Sequence, residues 1–163
     1  MSILSICQWL QDTNIGTSIR ESIWTFPIIE STHVLALSLS VGTLLWMDLR
    51  LTGLALKGQS MTKVTRSVLP WSIVGFTIMF ITGILLFWCQ AVKAYSSIFF
   101  TIKIIALVLA GLNALLYHTT IYRKMAEWDK LPVPPARARM AGYCSMALWI
   151  IVIVCGRTMA YTF

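Results

Sequence analysis

The chain has 163 residues, of which 58% are apolar and only 12% are charged. Soluble globular chains carry about a quarter charged residues, so this composition argues against a soluble enzyme, a disordered protein and a disulfide-stapled secreted module. The formal net charge of +7 would suggest nucleic acid for a soluble domain. In a membrane protein it has a simpler source, because basic residues gather in cytoplasmic loops. We therefore expect the lipid bilayer, and no nucleic acid, as partner.

The segment before the first long apolar stretch predicts a short helix that lies on the membrane surface. Its apolar residues can share one helical face: Ile3, Leu4, Ile6, Cys7 and Leu10. It lacks the charged start of a signal peptide, and polar residues interrupt it.

Four later segments are each about long enough to cross a membrane, which takes roughly 20 mostly apolar residues. They are about 24–47, 70–91, 98–122 and 139–161. Pro27 and Pro70 are expected at helix starts, where proline is tolerated. The predicted fold class is all-α, an integral membrane four-helix bundle with a short N-terminal interfacial helix. Residues 1–163 form a single membrane domain in this interpretation.

Basic residues predict the orientation of the four spans. Two connecting segments, 48–69 and 123–139, contain nine of them: Arg50, Lys57, Lys63, Arg66, Arg123, Lys124, Lys130, Arg137 and Arg139. The opposite side has Arg20 and Lys93. By the positive-inside rule the two basic segments are cytoplasmic and both termini lie outside.

Polar residues inside the spans are functional candidates, because burying them in a bilayer is costly. They are Glu30, His33, Lys103, Asn113, His118 and Arg157. At 1.5 Å per residue, Glu30 lies about 9 Å and His33 about 13 Å below Trp24. Lys103 lies about 8 Å inside the third span and Arg157 about 6 Å inside the fourth. Glu30, His33, Lys103 and Arg157 therefore fall in one outer layer on three helices.

This outer layer has two interpretations. Glu30 and His33 are spaced i, i+3 and share a helix face, so Glu30 could form a structural ion pair with Lys103 or Arg157. Alternatively the layer holds an anionic cofactor. Haem b fits this interpretation: His33 would be its metal ligand, Glu30 would orient the imidazole, and Lys103 or Arg157 would meet the propionates.

A second histidine ligand from His118 is not expected. His33 and His118 differ in depth by roughly 15 Å, whereas both nitrogens of a bis-histidine site must reach one iron. Lys103, Cys155 and Met159 lie at a plausible depth for a sixth ligand, and the sequence leaves open whether the iron has one. Gly75, Met79 and Gly83, at four-residue spacing, are interpreted as close helix packing.

Two stretches carry a resemblance to known families. Residues 22–33, followed by Gly42 and the Asp48-Leu49-Arg50 triplet, and residues 145–161 resemble a family of uncharacterised bacterial four-helix membrane proteins. That family is similar to the CopD membrane domain and to the haem-binding HemJ-type protoporphyrinogen oxidase. His33, Gly42, Arg50 and Lys103 could match HemJ positions. The resemblance implies a haem site near His33 and location in the bacterial inner membrane.

Three functions are consistent with these features. The first is a b-type haem redox protein that transfers electrons, with a quinone or a tetrapyrrole as partner. The second is a non-catalytic small subunit of a larger membrane complex or homo-oligomer. The third is a CopD-like metal transporter, which ranks last because four helices with one polar layer provide no continuous path.

Overall fold

The computed structural model describes residues 2–129 and 131–161, and these residues form helices without strands. In chain order the α-helices are α1 (Ile3–Gln11), α2 (Asn14–Glu21), α3 (Thr25–Thr52), α4 (Met61–Cys89), α5 (Ala91–Ser96), α6 (Ile98–Leu116), α7 (Met125–Trp128) and α8 (Ala136–Tyr161). A π-helical turn, Tyr117–Ile121, and a 3₁₀ turn, Tyr122–Lys124, extend α6.

Four of these helical segments are long and apolar enough to cross a membrane: α3, α4, α8 and the continuous segment Ile98–Lys124. This confirms the predicted all-helical membrane bundle. Helix α3 packs against both α4 and α8, and α6 packs against α8. A cluster around Ala106, Trp149 and Val152 occupies the middle of the bundle.

Helix α4 begins earlier than the sequence predicted. Pro70 lies inside the helix rather than at its start, so that prediction was wrong. The helix begins at Met61 because its first N–H groups find acceptors outside the helix. Ser60 Oγ accepts from the Lys63 N–H at 3.2 Å, and Asp129 Oδ1 accepts from the Thr62 N–H at 2.8 Å.

Two short helices, rather than the one predicted, precede the first span, and they cover one end of the bundle. We call this the capped end; it comprises α1, α2 and α5. Thr13 lies between α1 and α2, where its hydroxyl oxygen accepts from the Gly16 N–H at 3.3 Å and from Trp88 Nε1 at 2.8 Å. The Gln11 side chain accepts from the Val92 N–H at 3.2 Å. These bonds attach the N-terminal helices to α4 and α5.

The opposite end, which we call the basic-loop end, comprises residues 53–60 and 122–135. Arg50 lies at its centre and is fully buried, although the sequence analysis had counted it among the loop cations. Its Nε donates to the Gln59 carbonyl at 2.6 Å, and its Nη2 donates to the carbonyls of Leu131 at 2.9 Å and Asp129 at 3.4 Å. One side chain thereby connects the end of α3 to both loops.

Glycine packing determines how closely α3 and α4 approach. A Cβ added at Gly75 would lie 2.5 Å from Ser40 Oγ and 3.0 Å from the Ser40 backbone nitrogen. No larger residue fits there without moving α3, so the close-packing interpretation of Gly75 is confirmed. Gly83, two turns further along α4, lies against His33.

Candidate functional site

His33 is half-buried on α3 and forms a hydrogen bond with α4. Its Nδ1 lies 2.9 Å from Thr82 Oγ1. The single Thr82 hydroxyl proton is donated to a backbone carbonyl, with Ile78 O at 2.7 Å and Met79 O at 3.2 Å. Thr82 therefore accepts from His33, which assigns the imidazole proton to Nδ1.

This tautomer leaves the Nε2 lone pair of His33 available. Within the described parts of the chain, Nε2 has no hydrogen-bond partner. Gly83 lies against the other edge of the ring, where an added Cβ would be 3.2 Å from Cε1, the carbon that joins the two nitrogens, and 3.8 Å from Nδ1. A glycine on α4 thus keeps that edge uncrowded.

Lys103 on α6 reaches the same layer and is also half-buried. Its Nζ would lie 3.6 Å from a Cβ built at Gly156 on α8, and it interacts electrostatically with the buried Cys155 and with His33. Among the described residues Lys103 has no ion pair. The site therefore combines an imidazole with a lysine amino group that has no ion pair among the described residues, and this group in its protonated form favours an anion.

Glu30 lies outside this site. Its side chain is exposed, and no ion pair joins it to Lys103 or Arg157 in the described structure, so the predicted ion pair is absent. The interior stripe of α3 runs through Ile29, His33 and Ala36. Glu30 follows this stripe by one residue, and a rotation of about 100° per residue turns it outward.

Arg157 also points away from His33. It is exposed, its Nη2 donates to the Tyr161 hydroxyl at 2.9 Å, and its guanidinium carbon lies 5.3 Å from the Tyr161 ring centroid. The neighbouring Cys155 and Gly156 face Lys103, so one further residue along α8 carries Arg157 out of the site. Only Lys103 of the two predicted cations accompanies His33.

His118 belongs to the other end of the molecule. It is exposed within the π-helical turn, and its ring centroid lies 5.0 Å from that of Tyr122 and 5.6 Å from that of Tyr117. The structure does not bring it together with His33.

A family model for a protein family of unknown function, DUF6644, matches residues 13–162, which is nearly the whole chain. The chain belongs to this family. No curated protein and no solved structure matches it significantly. The expected membership of an uncharacterised family is thus confirmed, whereas these comparisons show no similarity to CopD or HemJ proteins.

The donor set of this DUF6644 member limits what the site can hold. Within the described residues there is no group of three or more His, Cys, Asp or Glu side chains that could bind a metal ion.

Sequence reasoning missed three contributors to this site. Thr82 carried no signal, since a lone threonine in an apolar helix most often bonds its own backbone. Gly83 was noticed only as a packing residue, and Gly156 was not noticed. Their roles depend on which face of α4 and α8 turns toward His33 and Lys103.

Proposed function

We propose that this DUF6644 protein is a membrane-embedded b-type haem protein that transfers electrons, with His33 as an axial ligand of the iron. The observation that carries the proposal is the hydrogen bond between His33 Nδ1 and Thr82 Oγ1. A histidine that ligates a metal commonly donates its other ring N–H to an oxygen acceptor, which orients the ring and raises its basicity. Thr82 supplies that acceptor for Nδ1, and Nε2 is left for iron.

The neighbouring residues also suit haem. Gly83 allows α4 to pack closely against the Cε1–Nδ1 edge of the imidazole. Lys103 lies in the same layer without an ion pair among the described residues, and its protonated amino group would be complementary to a haem propionate. In this proposal Thr82 takes the orienting role that the sequence suggests for Glu30. Of the two cations that the sequence suggests for the propionates, Lys103 remains and Arg157 does not.

Bound haem would supply one-electron chemistry between ferric and ferrous iron. The protein has few residues outside its helices, so its electron partner is expected within the bilayer. A quinone or a tetrapyrrole has the required chemistry.

An absorption spectrum of the purified protein tests the proposal. Protein from haem-replete cells should show a Soret band with α and β bands on reduction, and its pyridine haemochromogen should identify stoichiometric haem b. Apoprotein that shows no Soret band, even after titration with hemin, would contradict the proposal. If such haem-free protein co-purifies with other membrane proteins, it is a subunit of a larger complex.

We further propose that the protein lies in the bacterial inner membrane with the basic-loop end in the cytoplasm and both termini outside. Arg50 is buried and is therefore left out of the charge comparison. Eight basic residues still belong to the basic-loop end, whereas the other end has only Arg20 and Lys93. Reporter fusions at the C-terminus and within residues 53–60 should give opposite signals, with only the loop fusion cytoplasmic. A cytoplasmic C-terminal reporter would reverse the orientation.

A further inference from the structure

Two adjoining cavities lie at the basic-loop end, beside α8 and the π-helical turn that follows α6. The first has a volume of about 260 Å³ and is lined mainly by Asn113, Leu116, Tyr117, Met140, Ala141 and Cys144. The second has a volume of about 450 Å³ and is lined mainly by Arg123, Lys124, Glu127, Trp128 and Pro135. Thr120, Ile121 and Arg137 line both. The shared residues make the two cavities parts of one groove.

The first part of the groove is apolar and lies between two membrane-spanning helices. Leu116 comes from the end of α6, and Met140 and Ala141 come from α8. The polar group of Asn113 is already satisfied, because its Nδ2 donates to the Ala141 carbonyl at 3.0 Å. The Tyr117 hydroxyl also belongs to this part, where it is buried and has no hydrogen-bond partner among the described residues. An apolar chain would pack against Leu116, Met140 and Ala141.

The second part of the groove is basic. Arg123, Lys124 and Arg137 are all exposed, and none of them forms an ion pair with any described residue. Glu127, a carboxylate in the same cavity, is likewise without an ion pair. Three unpaired cations converge on one cavity at the end of the membrane-spanning helices, an arrangement that suits a phosphate group.

We infer that this groove binds an anionic phospholipid, with the phosphate among Arg123, Lys124 and Arg137 and an acyl chain along Met140 and Cys144. Basic pockets between transmembrane helices recognise anionic headgroups. The apolar part of the groove selects a lipid over a free anion, because a soluble phosphate would leave that part unused. The basic part of the groove thus matches the headgroup of a phospholipid, and the apolar part matches its acyl chain.

Native mass spectrometry of the detergent-solubilised protein tests this inference. Phosphatidylglycerol and phosphatidylcholine of the same acyl chains are titrated separately, and one phosphatidylglycerol molecule should bind markedly more tightly. Each basic residue near a lipid surface contributes about fivefold in affinity. The double variant Arg123→Gln/Arg137→Gln should therefore bind phosphatidylglycerol about 25-fold more weakly. Both side chains are exposed, so the variant is expected to fold.

Arg139→Gln is the matched control, because Arg139 lies on the same helix, is exposed and does not line the groove. It should leave the affinity within twofold of the original, on the scale of about fivefold for a contacting charge. If Arg139→Gln also weakens binding about fivefold, the general charge of the surface rather than a specific site attracts the lipid. Equal binding of the two lipids would overturn the inference as well.

A second pair of variants tests the apolar part without changing charge. Cys144→Phe should fill the groove and weaken phosphatidylglycerol binding, whereas Cys144→Ser should not. Inorganic phosphate at the same concentration as the lipid should not displace it. Displacement by phosphate, or binding unaffected by Cys144→Phe, would show a plain anion pocket and contradict a lipid site.

Discussion

Replacing His33 by alanine should abolish the Soret band of the purified protein. The substitution removes the only histidine that the structure places at the proposed site, and no described cluster of His, Cys, Asp or Glu could take over the metal. His118→Ala is the matched control, since it removes the only other histidine from the opposite end of the molecule. Its spectrum and haem content should equal those of the original protein.

Thr82 variants separate ligation from a merely structural effect. Thr82→Val keeps the shape but removes the acceptor for the His33 Nδ1 proton, and such losses typically weaken metal binding by about 10- to 100-fold. Thr82→Ser retains the hydroxyl and should restore haem affinity. The measurement is a hemin titration of each apoprotein followed at the Soret band. Full haem content with an unchanged spectrum in His33→Ala would rule out His33 as the ligand.

Arg50→Met should lower the free energy of unfolding by about 1.5–3 kcal/mol, as expected when hydrogen bonds from a charged group are lost. The carbonyls of Gln59, Asp129 and Leu131 would lose the side chain that donates to all three of them. Arg50→Lys should recover only part of the loss. A single ammonium group cannot reproduce the fork geometry by which the guanidinium bonds to two loops.

Thermal unfolding in detergent, followed by circular dichroism, measures this effect. Arg66→Gln is the control, because Arg66 is an exposed cation in α4 near the basic-loop end. Its loss should change the melting temperature little. Limited proteolysis should cleave Arg50→Met faster within residues 53–60 or 129–135. A melting curve of Arg50→Met that overlies the original would show that these hydrogen bonds contribute little to stability.

The positions of the four membrane helices could be predicted from the sequence, because the length of an apolar stretch is a local property of the chain. The depth of His33 and Lys103 also followed from the constant rise of a helix. Helix ends were less predictable. Helix α4 begins at Met61 because Asp129, far along the chain, accepts a hydrogen bond from Thr62.

Only the tertiary structure decided which side chains face one another. Depth alone placed Glu30 and Arg157 in the same layer as His33, yet the rotation of α3 and α8 turns both of them outward. That rotation depends on packing between helices, such as Gly75 against Ser40, which a single helix does not encode. The burial of Arg50 has the same origin: two loops distant in sequence fold over it and supply the carbonyls that make its burial possible.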